Sequence, residues 1–518
     1  MKTQSPLVLT IDFGTQSLRT SLINNSGEIE AIVKKHYDPC YVSPFKGAAE
    51  QDADFYWNSL VECLEKLGNE NQDKMSRIVG ATISTFRDTS VQLDTNLNPI
   101  RPCVLWLDQR LAKGSERLPL LYRLIFGIVG MTETVKLNRS RTVAHWLKEN
   151  EPETWNKTCK YVNISTYITY KLSGNLVDSC SAYAGHYPIN FRHRHWYYEK
   201  ALKGIIYGIP SRMLPTLKQP GEILGEINDE IAEKCHLPKG IKIYASGSDK
   251  ACETLGLGAL NSHTAAISYG TASSIEVSNQ KYHEPEPFLP AYPAAVSDWY
   301  NMEVQVYRGY WMLSWFSKNF AGELIDESKI QKMAVEELLN KDLSKIAPGS
   351  DGLVLQPYWG PGLRRPLAKG GIIGFSDIHT RAHLYRAIIE GIAYALREGL
   401  EGIEKSQHEK VDSIRISGGG SQSDAICQIT ADIFGLPVSR IQTIEATSLG
   451  AAISTFVAVK VFNSVDEAMN KMSHVTDTFM PNEIAHQDYE KLYHKVYLKI
   501  FPKLKGVYKD INDITKRY

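Results

Sequence analysis

Apolar residues run almost unbroken through Leu7-Val8-Leu9-Thr10-Ile11, give way to Asp12-Phe13-Gly14-Thr15-Gln16-Ser17, and resume at Thr20-Ser21-Leu22-Ile23. The same order returns about half a chain later, as Ala265-Ala266-Ile267, then Ser268-Tyr269-Gly270-Thr271-Ala272-Ser273, then Ile275-Glu276-Val277. Each passage reads as a strand, a tight turn and a returning strand. Each turn offers what a polyphosphate needs: a glycine for close approach, free N–H groups and hydroxyl donors. Two such turns predict two similar halves closing on one nucleotide. Only the first carries a carboxylate, Asp12, so the halves are unequal and the first is the one suited to hold a metal ion.

Between and after these turns the pattern alternates. Asn24-Asn25-Ser26-Gly27 predicts a turn into a third strand near residues 30–37, then a helix over 54–67 and a buried strand over 78–84. Late in the chain Leu384, Ile388, Ile392 and Ala395, with Ala387, Gly391 and Tyr394, recur three or four apart, which makes one broad apolar face of a long helix. Residues 371–375 punctuate its approach. A strand over 241–245 ends at Ser246-Gly247-Ser248-Asp249, and a helix is expected over 251–260. Strands alternating with amphipathic helices in both halves define an α/β chain. A domain boundary falls near residue 258, and beyond about residue 470 the strand signals fade into a helical tail rich in Lys and Tyr. No low-complexity linker intervenes, so closely packed domains with a cleft between them are expected.

Composition narrows the function. At 518 residues the chain exceeds what one core supports. Lys plus Arg and Asp plus Glu both number 58, so no net field draws nucleic acid or an anionic membrane. The stretch Arg192-His193-Arg194-His195 is short and reads as a local solvated or packing feature. Eight cysteines (40, 63, 103, 159, 180, 235, 252 and 427) show neither CxxC pairs nor zinc-like spacing, as for free thiols in a reducing compartment. No charged, apolar leader and no membrane-length apolar run is visible, so a soluble cytoplasmic protein is expected.

A third glycine cluster, Ser417-Gly418-Gly419-Gly420-Ser421-Gln422-Ser423, follows the strand-like Ile414-Arg415-Ile416 and precedes a helix beginning near Ser423. Helix N-termini attract anions, and flat glycine backbone can stack under an adenine or ribose. It is not a Rossmann fingerprint, and no GxxxxGK[ST] occurs, so a P-loop is excluded. Asp249, just past a strand end and between two glycine turns, is the candidate general base; the alternative is a turn residue capping the next helix. Thr85-Phe86-Arg87-Asp88-Thr89 and Trp106-Leu107-Asp108-Gln109-Arg110 each follow a strand. They offer donors, acceptors and an aromatic face to a sugar, or else a surface ion pair. The aromatic run over 300–315 reads as core packing.

Together these residues resemble the FGGY family of carbohydrate kinases, within the actin/hexokinase/Hsp70-like ATPase superfamily, from Asp12 to about residue 460. Gly371-Ile372-Ile373-Gly374-Phe375 with residues 383–390, and Ala446-Thr447-Ser448-Leu449-Gly450-Ala451-Ala452, are similar to its C-terminal signature and closing helix. The resemblance implies two RNase H-like (actin-like ATPase) α/β domains with an interdomain cleft, over 1–257 and 258–518. It implies ATP with Mg²⁺ held through Asp12. Gly14, Thr15, Gln16, Ser17 and Arg19, with Gly270 and Thr271, would clamp the β- and γ-phosphates, and Gly419, Gly420 and Ser423 would seat the adenosine. Asp249 would accept the proton of the attacking hydroxyl, with Arg87, Asp88 and Asp108 positioning the acceptor.

The implied reaction is phosphorylation of a small sugar by ATP, with a ketopentose such as xylulose or ribulose as acceptor; a homodimer is admitted. Alternatives are a glycerol or polyol kinase and, from another class, an actin- or chaperone-like ATPase with no acceptor. Departures from the family pattern lie where substrate is read. Val143 stands where a Lys is typical, residues 178–188 lack the usual ending, and Arg87-Asp88 is nearer the Arg-Glu of glycerol kinases than the Met-His of xylulokinases.

Overall fold

A computed structural model describes residues 5–114, 118–286, 289–359, 365 and 367–515. The chain divides into two compact units. The first comprises the chain up to Gly258 with Tyr292–Tyr300 and Glu445–Ser473; the second comprises Ala259–Ala291, Asn301–Ile444 and the chain from His474 onward. A single cut in the sequence therefore does not separate them, because two later stretches complete the first unit.

The first unit is built on a six-stranded sheet. The apolar run Leu7–Phe13 is buried throughout and pairs antiparallel with Ser17–Asn24, which pairs antiparallel with Ile29–His36. On its other side Leu7–Phe13 runs parallel to Ile78–Thr85, then comes Lys242–Tyr244 in parallel, and Ile223–Glu226 closes the edge antiparallel. Helix Ala53–Glu70 packs on the hairpin strands, and helix Ala446–Ala458 packs on Leu7–Phe13 and Ile78–Thr85. Both faces of Leu7–Phe13 are buried, so apolar residues stand on both and only Thr10 and Asp12 interrupt the run.

The second unit repeats the plan. Thr264–Tyr269 pairs antiparallel with Ser273–Asn279 and parallel with Ser413–Gly418; Val438–Ile441 follows in parallel and Val475–Phe479 closes the edge antiparallel. The apolar face read near residue 388 belongs to the 27-residue helix Arg381–Gln407. The strand Val475–Phe479 corrects the expectation of a purely helical tail. It is an edge strand with four exposed residues, so it carries no apolar pattern. Behind it the tail is helical, and its tyrosines are structural: Tyr489, Tyr493 and Tyr497 are buried against Tyr394 of the long helix. All eight cysteines are free. Among the described residues no helix is long and apolar enough to cross a membrane.

A crossing of two helices inside the first unit sets the position of Asp249. Helix Asp249–Gly256, displaced toward the N-terminus from its expected span because Ser248 caps it, crosses helix Ala446–Ala458 at two glycines. A Cβ on Gly256 would lie 1.9 Å from the Ala446 carbonyl oxygen, and one on Gly450 would lie 1.8 Å from that of Cys252. Backbone meets backbone there, so Gly450→Ala must part the helices. The expected loss is about 1–3 kcal/mol in urea unfolding. Gly506→Ala, where nothing lies within 4 Å, is the control expected to be neutral or stabilising.

Candidate active site

Side-chain alternation sends Leu7, Leu9, Ile11 and Phe13 into one core with Tyr56, Leu60 and Leu64, leaving Asp12 to the opposite face. Its register partner across the hairpin is Arg19. Arg19 Nη1 lies 3.7 Å from Asp12 Oδ2. Arg19 Nε is 2.7 Å from Glu445 Oε2, and Lys34 Nζ is 3.5 Å from Glu445 Oε1. Asp12 is 5% exposed. Burial above all pushes its carboxyl up to about 7; Arg19 opposes this, while Asp249, Glu445 and Glu253 add to it.

A buried carboxylate in the field of three others, offset chiefly by one guanidinium, is short of positive charge. A divalent cation fits that donor set. Among the described residues no group of three or more His, Cys, Asp or Glu is placed to hold a metal ion. A cation at Asp12 would complete its shell from water and substrate phosphate, as Mg²⁺ commonly does.

The turn beside Asp12 is tight. Gly14 N–H donates to the Ser17 carbonyl at 2.9 Å, and a Cβ on Gly14 would press on Arg19 Nη1 and that carbonyl at 3.2 Å. Thr15 Oγ1 accepts from Trp106 Nε1 at 3.0 Å, which leaves its own proton to donate. Gln16 is exposed and Ser17 is buried at the start of the returning strand.

Asp249 opens its helix, one residue after the Ser248 cap whose hydroxyl accepts from Ala251 N–H. Its Oδ1 accepts from Lys250 N–H at 2.8 Å. Burial raises its carboxyl, Arg87 and Lys250 work against that, and Glu253 works with it. Lys250 Nζ is 2.7 Å from Glu253 Oε2. The Arg87 guanidinium lies over the Tyr292 ring, 5.2 Å from its centroid.

Asp88 adopts a left-handed φ of 55°, a strained conformation for a residue with a Cβ. Its carboxylate accepts from His186 N–H at 3.0 Å and pairs with His186 Nδ1 at 2.7 Å. Burial raises that carboxyl, but the His186 ring and backbone together with Arg87 outweigh it and hold it below its ordinary value. A Cβ on Gly185 would lie 2.4 Å from Asp88 Oδ2, so the grip requires glycine there.

Asp108 is firmly held by its own neighbours. Its two oxygens accept from Ala49 N–H, Arg110 N–H, Arg110 Nε and Arg110 Nη2 at 2.7–2.8 Å. Those donors occupy the lone pairs of a carboxylate, and Arg110 continues to Glu50 at 2.6 Å. These bonds hold the Asp108 loop in place.

In the second unit Gly270 and Thr271 are half-buried at the turn. Their carbonyls accept from Tyr310 N–H at 3.1 Å and Trp311 N–H at 3.3 Å. Gly418 has φ 82°, and a Cβ there would strike the Tyr269 backbone at 2.6 Å. Gly420 lies against the Tyr310 ring, whereas Gly419 has nothing within 4 Å and offers open backbone. Ser423 caps helix Asp424–Phe434. Beside this loop is a cavity of about 300 Å³ lined by Ile416, Ser421, Gln422, Arg440, Ile441 and Thr443. Arg440 ties the loop down, donating to the Ser421 carbonyl at 3.1 Å and pairing with Asp424 at 2.7 Å and Asp477 at 2.8 Å.

The first unit thus gathers Asp12, Arg19, Asp249, Arg87 and Asp88, and adds residues that sequence reasoning did not name. Glu253 carried a signal, one helical turn beyond Asp249. Glu445, His186 and Tyr292 carried none, being joined to the rest only by folding, and the same holds for Arg440 within the second unit.

Two units of similar strand order, each opening on a glycine hairpin, define a two-domain α/β protein of the actin-like ATPase class. The ligand-bound xylulose kinase from Lactobacillus acidophilus shares this fold, with a TM-score of 0.81 at 22% identity over 98% of this chain and 100% of that one. The model of the N-terminal domain of the FGGY family of carbohydrate kinases matches residues 7–256, and that of the C-terminal domain matches 265–459. The chain belongs to this family. It is a carbohydrate kinase, a phosphotransferase with an alcohol acceptor and ATP as donor, and the acceptor-free ATPase alternative falls away. A xylulose kinase of Lactococcus lactis subsp. lactis is 29% identical over 515 residues, covering 98% of this chain and 97% of that protein. The sugar kinase YgcE of Escherichia coli (strain K12) is 27% identical over 510 residues, covering 98% and 94%.

Asp12 makes stability depend on pH with a definite sign. Its folded pKa of about 7 exceeds the ordinary 3.8, so the folded state holds a proton that the unfolded state has lost. Stability falls as pH rises through that window and stays lower above it. Asp12→Asn is expected to raise the melting temperature by several degrees at pH 8, bounded by about 4 kcal/mol, with the gain fading toward pH 4. An unchanged or lower melting temperature at pH 8 refutes the charge deficit.

Proposed function

We propose that this kinase transfers the γ-phosphate of Mg·ATP to a hydroxyl of a ketopentose, with xylulose as the first candidate. The observation that carries the chemistry is the pairing, in one unit, of a buried carboxylate short of positive charge, Asp12, with a second carboxylate, Asp249, that burial makes more basic. The substrate class is supported by the relatives and structural neighbours that bear the name xylulose kinase.

Bound Mg·ATP supplies the phosphoryl group and neutralises its charge. The protein's task in such a transfer is mostly positioning. On this reading Asp12 holds the cation, and Arg19 with the Gly14-Thr15-Gln16-Ser17 turn takes phosphate oxygens. Within the second unit, Gly270 and Thr271 are suited to phosphate oxygens, and Gly419, Gly420 and Ser423 to the adenosine. Asp249 Oδ1 is engaged by its neighbour's N–H, so Oδ2 accepts the acceptor's proton. A raised carboxyl pKa brings that base nearer its working pH. Arg87, fixed over Tyr292, and the Asp88–His186 pair orient the sugar hydroxyls.

Asp249→Asn should keep nucleotide and sugar binding while losing roughly 10²–10⁴ in kcat, the usual range for removing a general base. Near-normal turnover of that variant rejects the assignment. ADP release measured against ketopentoses, ketohexoses, aldonates, glycerol and a no-acceptor control should be strongest with xylulose. Dominance of glycerol would transfer the reading to a polyol kinase. Arg87→Ala should raise KM for the acceptor more than it lowers kcat, and an equal KM for the two proteins would remove Arg87 from the sugar site.

A further inference from the structure

The run Arg192-His193-Arg194-His195, which the proposed transfer does not use, borders a cavity of about 410 Å³ in the first unit. Arg192, His193, Arg194, Gln219, Asp298 and Tyr300 line it. That size suits a small metabolite. Arg194 is its anchor, with a side chain only 9% exposed. The guanidinium lies 4.6 Å from the Tyr300 ring centroid, and Nη2 donates to the Trp299 carbonyl at 3.3 Å. Nε is buried without a hydrogen-bond partner. The residue stands on a left-handed φ of 58°, so its orientation is held at a cost in backbone strain.

The anionic partner of Arg194 is weakly committed. Asp298 reaches Nη1 at 3.2 Å, but its side chain is 90% exposed, and such a pair contributes little. Arg192 and His193 add cationic or donor groups on the same wall, with the His193 and His195 rings stacked at 6.0 Å. A rigid guanidinium fork beside further donors matches the oxygens of a phosphate.

We infer that this cavity is a binding site for a small phosphomonoester, whose dianion takes the place of the Asp298 carboxylate on Arg194. The segment Tyr292–Tyr300 joins the cavity to the catalytic loop. The Trp299 carbonyl accepts from both Arg194 and Ala294 N–H, the latter at 3.0 Å. Ala295 abuts Gly247, where a Cβ would lie 3.2 Å from Ala295 Cα, just before Asp249. Tyr292, at the other end, lies under Arg87. A ligand on Arg194 therefore bears on both Asp249 and Arg87. The site stands independently of which sugar is the acceptor.

Calorimetric titration of the full-length protein with glucose 6-phosphate, inorganic phosphate and glucose tests this. The phosphate ester should bind, and Arg192→Ala/His193→Ala, which spares the structural contacts of Arg194, should bind it at least about tenfold more weakly, as for the loss of charge-assisted bonds. Asp298→Asn should bind it more tightly. The double variant should retain unliganded kinase turnover, since neither residue belongs to the catalytic site. Inorganic phosphate binding as tightly as the ester would assign the site to the phosphate group alone, and glucose should not compete. Equal affinity of the wild type and the double variant, or no gain in Asp298→Asn, overturns the inference. Binding without any change in turnover of the wild type overturns the link through Tyr292–Tyr300.

Discussion

The crossing of helix Asp249–Gly256 with helix Ala446–Ala458 is the contact on which the first unit's cluster of buried charges depends. Glycines at 256 and 450 let each helix meet a carbonyl of the other at a distance no Cβ permits. Each helix carries an acidic residue at its start, Asp249 in one and the preceding Glu445 in the other. Close packing thus brings charges together that have no reason to approach by themselves. The sheet adds Asp12 and Arg19 as register partners across its first hairpin. Three elements far apart in the chain converge on one patch because two glycines take up no room.

That convergence concentrates negative charge where water is excluded. Asp12 is deeply buried, and its carboxyl is pushed up chiefly by that burial. Arg19 is shared between Asp12 and Glu445 rather than committed to either. Such an arrangement is costly for the protein alone, and on the proposed reading bound cations and phosphates offset that cost. Binding energy and fold stability are set against each other at the same residues, as is common at sites that handle charge.

The second unit uses its glycines differently. Gly418 and Gly420 are required by close approaches to Tyr269 and Tyr310, whereas Gly419 is open. Arg440, from the next strand, holds the loop from below and reaches the edge strand through Asp477. The loop's shape is therefore decided by residues outside its own motif. A similar strand order underlies both units, with an antiparallel edge in each, although the chain reaches that edge by unrelated routes.

What the sequence determined by itself was local and periodic. The two hairpins, the strand–glycine–helix passage at Gly418, the long helix at Arg381–Gln407 and the position of Asp249 after a strand were legible because each is written in neighbouring residues. The motifs were also enough for the family. What only the tertiary structure decided involves residues distant in sequence and meeting in space. Glu445 reaches Arg19 only after its segment returns to the first unit. His186 takes Asp88, Tyr292 stacks on Arg87, and Asp108 turns inward to Arg110. The edge strand Val475–Phe479 stayed hidden for a related reason, since an exposed strand needs no apolar pattern and is specified by its neighbour's open hydrogen bonds. Periodicity reports burial of one element at a time; charge pairing and edge pairing depend on which elements meet, and that is settled only by packing.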